Sequence, residues 1–156
     1  MGDLYLALKL VHILGSTVLF GTGLGIAFFM LMAHRTCDPA AIAATARSVV
    51  IADALFTATA VVVQPITGMA MAWIAGYPAD LFWFRASIAL YVFVGLCWLP
   101  VVWIQIKLRD LAATAARDSA ALPERYFKLF RIWFWLGWPA FAGVIAIFAL
   151  MVWKPI

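Results

Sequence analysis

Charged side chains are scarce in this chain, and that scarcity excludes an ordinary water-soluble fold. Only 12% of the 156 residues are Asp, Glu, Lys or Arg, whereas 67% are hydrophobic. A soluble domain of this length cannot bury so much apolar surface, so lipid has to cover part of it. The segments between the apolar runs are too short for a separate soluble domain, and we expect residues 1–156 to form one domain.

Cysteine and metal-ligand clusters are also scarce. Cys37 falls in a predicted loop and Cys97 in the middle of a predicted membrane span, so we expect no disulfide between these two cysteines. His34 and Cys37 have metal-ligand spacing in the segment HRTCD, but two ligands are too few for a zinc site.

Neither a basic segment nor an A-x-A cleavage pattern precedes the first apolar run, so we expect a retained helix rather than a signal peptide.

What the chain has instead is a set of apolar runs that are each long enough to cross a bilayer. A helix of roughly 20 apolar residues spans the hydrocarbon core. The runs cover residues 4–33, 49–75, 83–106 and 132–153. The sequence therefore predicts an all-α membrane protein, a bundle of four transmembrane helices surrounded by the lipid bilayer.

Basic residues lie mainly at the ends of the apolar runs, so the net charge of +4 predicts membrane orientation and not nucleic-acid binding. Most of them occur in the connections 34–48 and 107–131, while the opposite side keeps Lys9, Arg85 and Lys154. Positive residues favour the cytoplasm. We expect a multi-pass protein of the bacterial inner membrane, with both connections cytoplasmic and both termini periplasmic.

Two further features concern the second apolar run. Asp38 and Pro39 have the residue types of a helix cap and first turn, which predicts a short interfacial helix before that run. Asp53, near the start of the run, is expected to form an ion pair with Arg47 or Arg131.

The glycine-rich segment GTGLG, residues 21–25, is no dinucleotide-binding loop, because no strand precedes it and it lies within a membrane span. Gly21 and Gly25 instead predict a close-packing face. That face would contact another helix, a flat ligand or a second copy of the chain in a homo-oligomer.

The first apolar run contains two ionisable residues, Lys9 and His12. Lys9 can extend to the membrane surface, whereas His12 lies deeper, at a depth of about 10 Å. Gly15 and Ser16 follow His12 on its face of the helix. Small residues leave room for a flat macrocycle, and imidazole is a good iron ligand. The alternative is a neutral histidine that is hydrogen-bonded to a backbone carbonyl or to Ser16.

Depth matching suggests partners for His12 on the second helix. The residue level with His12 on that antiparallel helix is close to position 68, which makes Met69 a candidate second iron ligand and Met71 the next choice. The alternative to iron ligation is that both methionines only pack against neighbouring apolar side chains. At the same end Lys9, Arg85 and Lys154 are cations suited to haem propionates. His34 cannot share an iron with His12, because the helix between them is about 33 Å long.

Several segments resemble a known family. The segment LKLVHILG contains His12, and MLMAHR contains His34, 22 residues later. Together they resemble the first helix of the bacterial four-helix protoporphyrinogen IX oxidases of the HemJ type. FWFRASIAL is similar to the start of their third helix, with Arg85 in place of a lysine. YFKLFRIWFWLGWPAF and MVWKPI are similar to their last helix, including Arg131, Pro139 and the Lys-Pro ending. Over almost the whole chain, the closer resemblance is to a sister group of predicted integral membrane proteins.

The resemblance implies a b-type haem protein with His12 as axial ligand, and hence a redox or electron-transfer role with the redox partner left open. A protoporphyrinogen IX oxidase acting on a porphyrin substrate is the second hypothesis. Two departures count against it: WLGW replaces the family's Asn-Glu pair, and Arg85 does not readily transfer protons. A cofactor-free accessory subunit that docks through its glycine face is the third hypothesis.

Overall fold

The computed structural model of the protein describes residues 2–155, which form a bundle of long helices without a strand in that range. Four helices are long and apolar enough to cross a membrane, and this confirms the predicted fold class. The elements are α1 (Gly2–Thr36), α2 (Pro39–Ala52), a π-helical turn (Asp53–Thr57), α3 (Ala58–Ile74), α4 (Phe82–Arg117) and α5 (Glu124–Trp153).

The second pass is a single helix. Asp38 accepts a hydrogen bond from the Ala40 amide at 2.9 Å, and Pro39 occupies the first turn, as the sequence predicts. The prediction of a separate interfacial helix is wrong, because α2, the π-helical turn and α3 run on without interruption from Pro39 to Ile74. The segment after Pro39 is rich in alanine and contains no glycine or proline, so nothing ends the helix there.

The helices also exceed the predicted apolar runs at one end of the bundle. α4 continues to Arg117, and α5 begins at Glu124 after Pro123. We call this the basic end; it holds the C-termini of α1 and α4 and the N-termini of α2 and α5. The opposite end, the turn end, holds both chain termini and the connection 75–81, where Gly76 adopts a positive φ of 67°.

The tightly packed core lies towards the basic end. Water surrounds helices that project beyond the lipid, so their apolar faces have to turn inward, whereas apolar residues within the membrane can face the lipid. Leu6 and Leu96, nearer the turn end, are more than 60% exposed. The core consists of Ile26, Met30, Ala33, Ile42, Ala46, Val49, Ile104, Leu108, Ala112, Tyr126, Phe130 and Trp133.

Helix pairing determines which side chains meet within the membrane. α1 packs against α2, the π-helical turn and α3, while α4 packs along α5 and also contacts α2. Phe20 links α1 to α5, with ring centroids 4.8 Å from Phe141 and 5.6 Å from Phe148. His12 therefore faces α3 in the half of the bundle near the turn end.

Gly143 marks a close approach between α5 and α4, and it yields a stability prediction. A Cβ atom at Gly143 would lie 2.6 Å from Val94 Cγ2, and a β-branched side chain has little freedom to move away. We expect Gly143→Ala to lower the free energy of unfolding by about 1–3 kcal/mol. Thermal unfolding in detergent micelles measures the effect. Gly137→Ala is the control, because nothing lies within 4 Å of its Cβ position; equal midpoints for the two variants would contradict this packing.

Candidate functional site around His12

The imidazole of His12 is hydrogen-bonded across the α1–α3 interface. Its Nδ1 atom lies 2.8 Å from Oγ1 of the buried Thr67. The same hydroxyl lies 2.8 Å from the Val63 carbonyl oxygen and 3.2 Å from the Gln64 carbonyl oxygen of its own helix, and a helical threonine commonly donates its single proton to such a carbonyl. We therefore assign the proton of the neutral imidazole to Nδ1, with Thr67 Oγ1 as its acceptor.

This arrangement leaves the other ring nitrogen with a lone pair. Across residues 2–155, the His12 side chain makes its hydrogen bond through Nδ1, and Nε2 has no protein partner. The ring is only half-buried. Metal-ligating histidines are commonly held in this way, with one nitrogen donating to the protein and the other free to coordinate.

Two glycines let α1 and α3 approach closely at this point. Gln64 Nε2 donates to the His12 carbonyl oxygen at 2.8 Å, and a Cβ atom at Gly15 would lie only 2.6 Å from that nitrogen. A Cβ atom at Gly68 would lie 3.1 Å from Cε1 of the His12 ring. The predicted depth match between His12 and position 68 is therefore confirmed.

Ser16 is not the hydrogen-bond partner of His12, because its hydroxyl donates to the Ile13 carbonyl oxygen at 2.8 Å. Lys9 and Arg85 are exposed, and no ion pair within residues 2–155 includes either of them. Lys154 is engaged elsewhere. Its Nζ lies 3.2 Å from the Tyr77 hydroxyl and 5.4 Å from the centroid of the Trp83 ring.

Met69 follows the glycine that contacts the His12 ring, and its side chain is 61% exposed. Thr67 and Gly68 face α1, whereas Met69 faces outward. Met71 is half-buried. Ligation of iron by Met69 stays a prediction, and the Met69 side chain would have to turn towards α1 to reach an iron bound by His12.

The donor set fits a haem better than a bare metal ion. Within the described chain, no group of three or more His, Cys, Asp or Glu residues could hold a metal. A porphyrin supplies four nitrogen donors itself, so one free imidazole nitrogen is enough to bind its iron. His34 lies at the basic end, as expected, where its ring stacks on Phe130 with centroids 3.6 Å apart.

Asp53 does not form the predicted ion pair. Its Oδ1 accepts a hydrogen bond from Trp98 Nε1 of α4 at 3.3 Å, and the ion pairs of residues 2–155 are Arg109–Asp110 and Lys128–Glu124. The prediction is wrong because Asp53 is buried inside the bundle, whereas Arg47 and Arg131 are exposed.

Within residues 2–155, the glycine face of α1 makes no close contact with another helix. No heavy atom lies within 4 Å of a Cβ position built at Gly21 or Gly25. Packing of this face against another helix of the same chain is therefore not observed. A flat ligand or a second copy of the chain stays a prediction.

Sequence analysis missed both polar partners of His12. Gln64 and Thr67 are three residues apart on one face of an otherwise apolar run. Together with the depth match, this spacing could have identified them. The π-helical turn and the contact between Asp53 and Trp98 have no comparable signal, because each depends on how α4 packs against the second pass.

Comparison with known proteins identifies the family of this chain. A family model described as "Predicted integral membrane protein (DUF2269)" matches residues 6–155. No curated protein and no solved structure matches the chain. With four apolar helices and a family match over nearly its full length, the chain belongs to the DUF2269 family of predicted integral membrane proteins.

Proposed function

We propose that the protein binds haem b in the membrane through His12 and serves in electron transfer. The observation that carries this proposal is the hydrogen bond between His12 Nδ1 and Thr67, which, with the proton assigned to Nδ1, leaves Nε2 free to coordinate iron. A bound haem supplies one-electron redox chemistry at this position.

The neighbouring residues act by positioning the imidazole. Thr67 holds the proton on Nδ1 and orients the ring, and Gln64 fixes the backbone of His12 against α3. Gly15 and Gly68 permit the close approach that both hydrogen bonds require. Groups that orient a metal-ligating histidine in this way commonly change metal affinity by about 10–100-fold when they are removed.

Charge at the turn end supports the same proposal. Lys9 and Arg85 are exposed and free of ion pairs in the described part of the chain, so both are available to haem propionates. Gly15 and Ser16 continue the His12 face of α1 and are half-buried. Gln64 fills the space beside Gly15, so the edge of a porphyrin would have to lie on the Ser16 side of the imidazole.

The second candidate is a protoporphyrinogen IX oxidase, which the sequence resemblance favours. Removing hydrogens from a porphyrinogen requires a proton acceptor as well as an electron acceptor. The polar side chains bonded to His12 are an amide and a hydroxyl, Gln64 and Thr67, and neither is a base. This favours an electron carrier over the enzyme.

A cofactor-free accessory subunit is the third candidate, for which the open glycine face would be the docking surface.

Removing the proposed ligand tests haem binding directly. We expect His12→Ala to abolish or severely reduce the haem content of the purified protein, measured as the pyridine haemochrome, while the bundle stays inserted. His34→Gln is the matched control, since His34 lies at the basic end, and it should retain haem. Full haem content in His12→Ala would refute ligation by His12.

The role of Thr67 gives a second test. Thr67→Val keeps the shape of the side chain but removes the oxygen that accepts the Nδ1–H of His12. We expect haem affinity to fall by about 10–100-fold, measured by titrating haem into the apoprotein. Thr59→Val is the control, because Thr59 is exposed and its hydroxyl bonds to the Leu55 carbonyl oxygen. Equal affinities for the two variants would show that Thr67 does not orient the ligand.

Orientation decides which leaflet holds the haem site. The charge distribution favours an orientation with both termini outside and the connections 34–48 and 107–131 in the cytoplasm. Alkaline phosphatase fused at the C-terminus or in the connection 75–81 should therefore be active, whereas a fusion near Ser119 should be inactive. An inactive fusion at the C-terminus together with an active one near Ser119 would reverse the orientation and move His12 to the cytoplasmic leaflet.

A further inference from the structure

A buried carboxyl group lies at the π-helical turn of the second pass. Asp53 is 4% exposed, and its Oδ1 atom accepts the hydrogen bond from Trp98. Within residues 2–155, Oδ2 of Asp53 and Oγ1 of Thr57 are buried without a hydrogen-bond partner. Buried polar atoms are normally paired. Thr57 lies one turn from Asp53 and its hydroxyl is close enough to act on that carboxyl group, so a proton shared between the two side chains, or one water, would satisfy both atoms. π-Helical turns are also frequent at functional sites.

The helices packed around Asp53 offer it no positive charge. α1 carries no ionisable side chain between His12 and His34, and α3 carries none at all. On α2 the ionisable residue is Arg47, which is exposed. No ion pair in the described range includes Asp53.

α4 is the remaining helix in contact with Asp53. Its ionisable residues closest to Trp98 in sequence are Cys97, which is a free thiol, and Tyr91, whose hydroxyl donates to the Val61 carbonyl oxygen. Neither is a cation. A carboxylate without a cation is costly in a membrane interior, so the protonated form of Asp53 is the resting form that this environment favours.

From Asp53 onwards, the buried residues of the second pass extend towards His12. Their spacing of three and four residues places them on one face of the helix. Over about 21 Å of helix, this face crosses much of the roughly 30 Å hydrocarbon core. Four of the five are polar, and we call these four the polar stripe. In order, the five residues are Asp53, Thr57, Ala60, Gln64 and Thr67.

We propose that the polar stripe is a proton pathway through the membrane, with Asp53 as its proton-binding group. The Asp53 carboxyl releases its proton along the stripe and becomes a carboxylate, and it is restored by a proton from the basic end. The pathway requires a water molecule between Thr57 and Gln64, past the small side chain of Ala60. This pathway does not depend on haem binding at His12.

Proton flux into liposomes tests the pathway. The purified full chain is reconstituted with a pH-sensitive dye inside, and valinomycin with a potassium gradient sets the membrane potential. We expect the internal pH to change faster than in protein-free liposomes. A rate equal to that of protein-free liposomes overturns the proposal, and so does a current that is carried by Na⁺ instead of protons.

Matched variants locate the flux. Asp53→Asn keeps the acceptor for Trp98 but binds no proton, and it should reduce the flux to the protein-free rate. Thr57→Val should slow the flux several-fold, whereas Thr59→Val, on the exposed side of the same helix, should leave it unchanged. A wild-type rate in Asp53→Asn overturns the proposal. Circular dichroism and size-exclusion chromatography establish that each variant is folded.

Carbodiimide labelling tests Asp53 in the unmodified chain. The apolar reagent dicyclohexylcarbodiimide adds a protonated carboxyl across one C=N bond: the carboxyl oxygen bonds to its carbon, the proton moves to nitrogen, and acyl transfer gives a stable N-acylurea. We expect mass spectrometry to find the adduct on Asp53, with loss of flux in parallel. A water-soluble carbodiimide should label exposed carboxyls such as Asp118 and preserve the flux. Absence of the apolar adduct from Asp53 overturns the proposal.

Discussion

The packing of α1 against the second pass is the constraint on which the polar chemistry of this protein depends. The hydrogen bond between His12 and Thr67 and the one from Gln64 to the His12 carbonyl both cross this interface. Gly15 and Gly68 make the necessary approach possible, since a Cβ atom at either position would press on the opposite side chain. If the two helices moved apart, the imidazole would lose its fixed tautomer and orientation.

His12 and Asp53, two polar side chains within the membrane spans, each have one atom that is hydrogen-bonded to a neighbouring helix and a second atom without a partner in the described residues. An ionisable residue within a span costs roughly 2.5–3.5 kcal/mol, and bonding of His12 and Asp53 to neighbouring helices offsets part of that cost. His12 keeps Nε2 free and Asp53 keeps Oδ2 free within the described chain. The first atom suits a metal, and the second suits a proton.

Hydropathy and charge were enough to predict the four-helix architecture, because lipid selects long apolar runs. The depth match between His12 and position 68 was also predictable, since two antiparallel helices rise equally per residue. The continuity of the helix at the basic end was not predicted. A helix was expected after Asp38, but the apolar run begins only at residue 49, and hydropathy gives no sign that the two segments form one helix. The hydrogen-bond partner of Asp53 was not predicted, because a buried carboxyl group suggests an ion pair, whereas the indole of Trp98 is the donor. The proposal of a haem rests on the sequence resemblance to the HemJ-type oxidases and on the free nitrogen of His12.

The absorption spectrum of the wild-type protein, purified from haem-replete cells and recorded before and after reduction with dithionite, tests the central claim most directly. If His12 Nε2 binds haem iron, the oxidised protein shows a Soret band, and reduction sharpens the α and β bands of a b-type haem. A colourless preparation would contradict the account. His12 would then be a histidine that joins α1 to α3 through Thr67 and has no cofactor to hold.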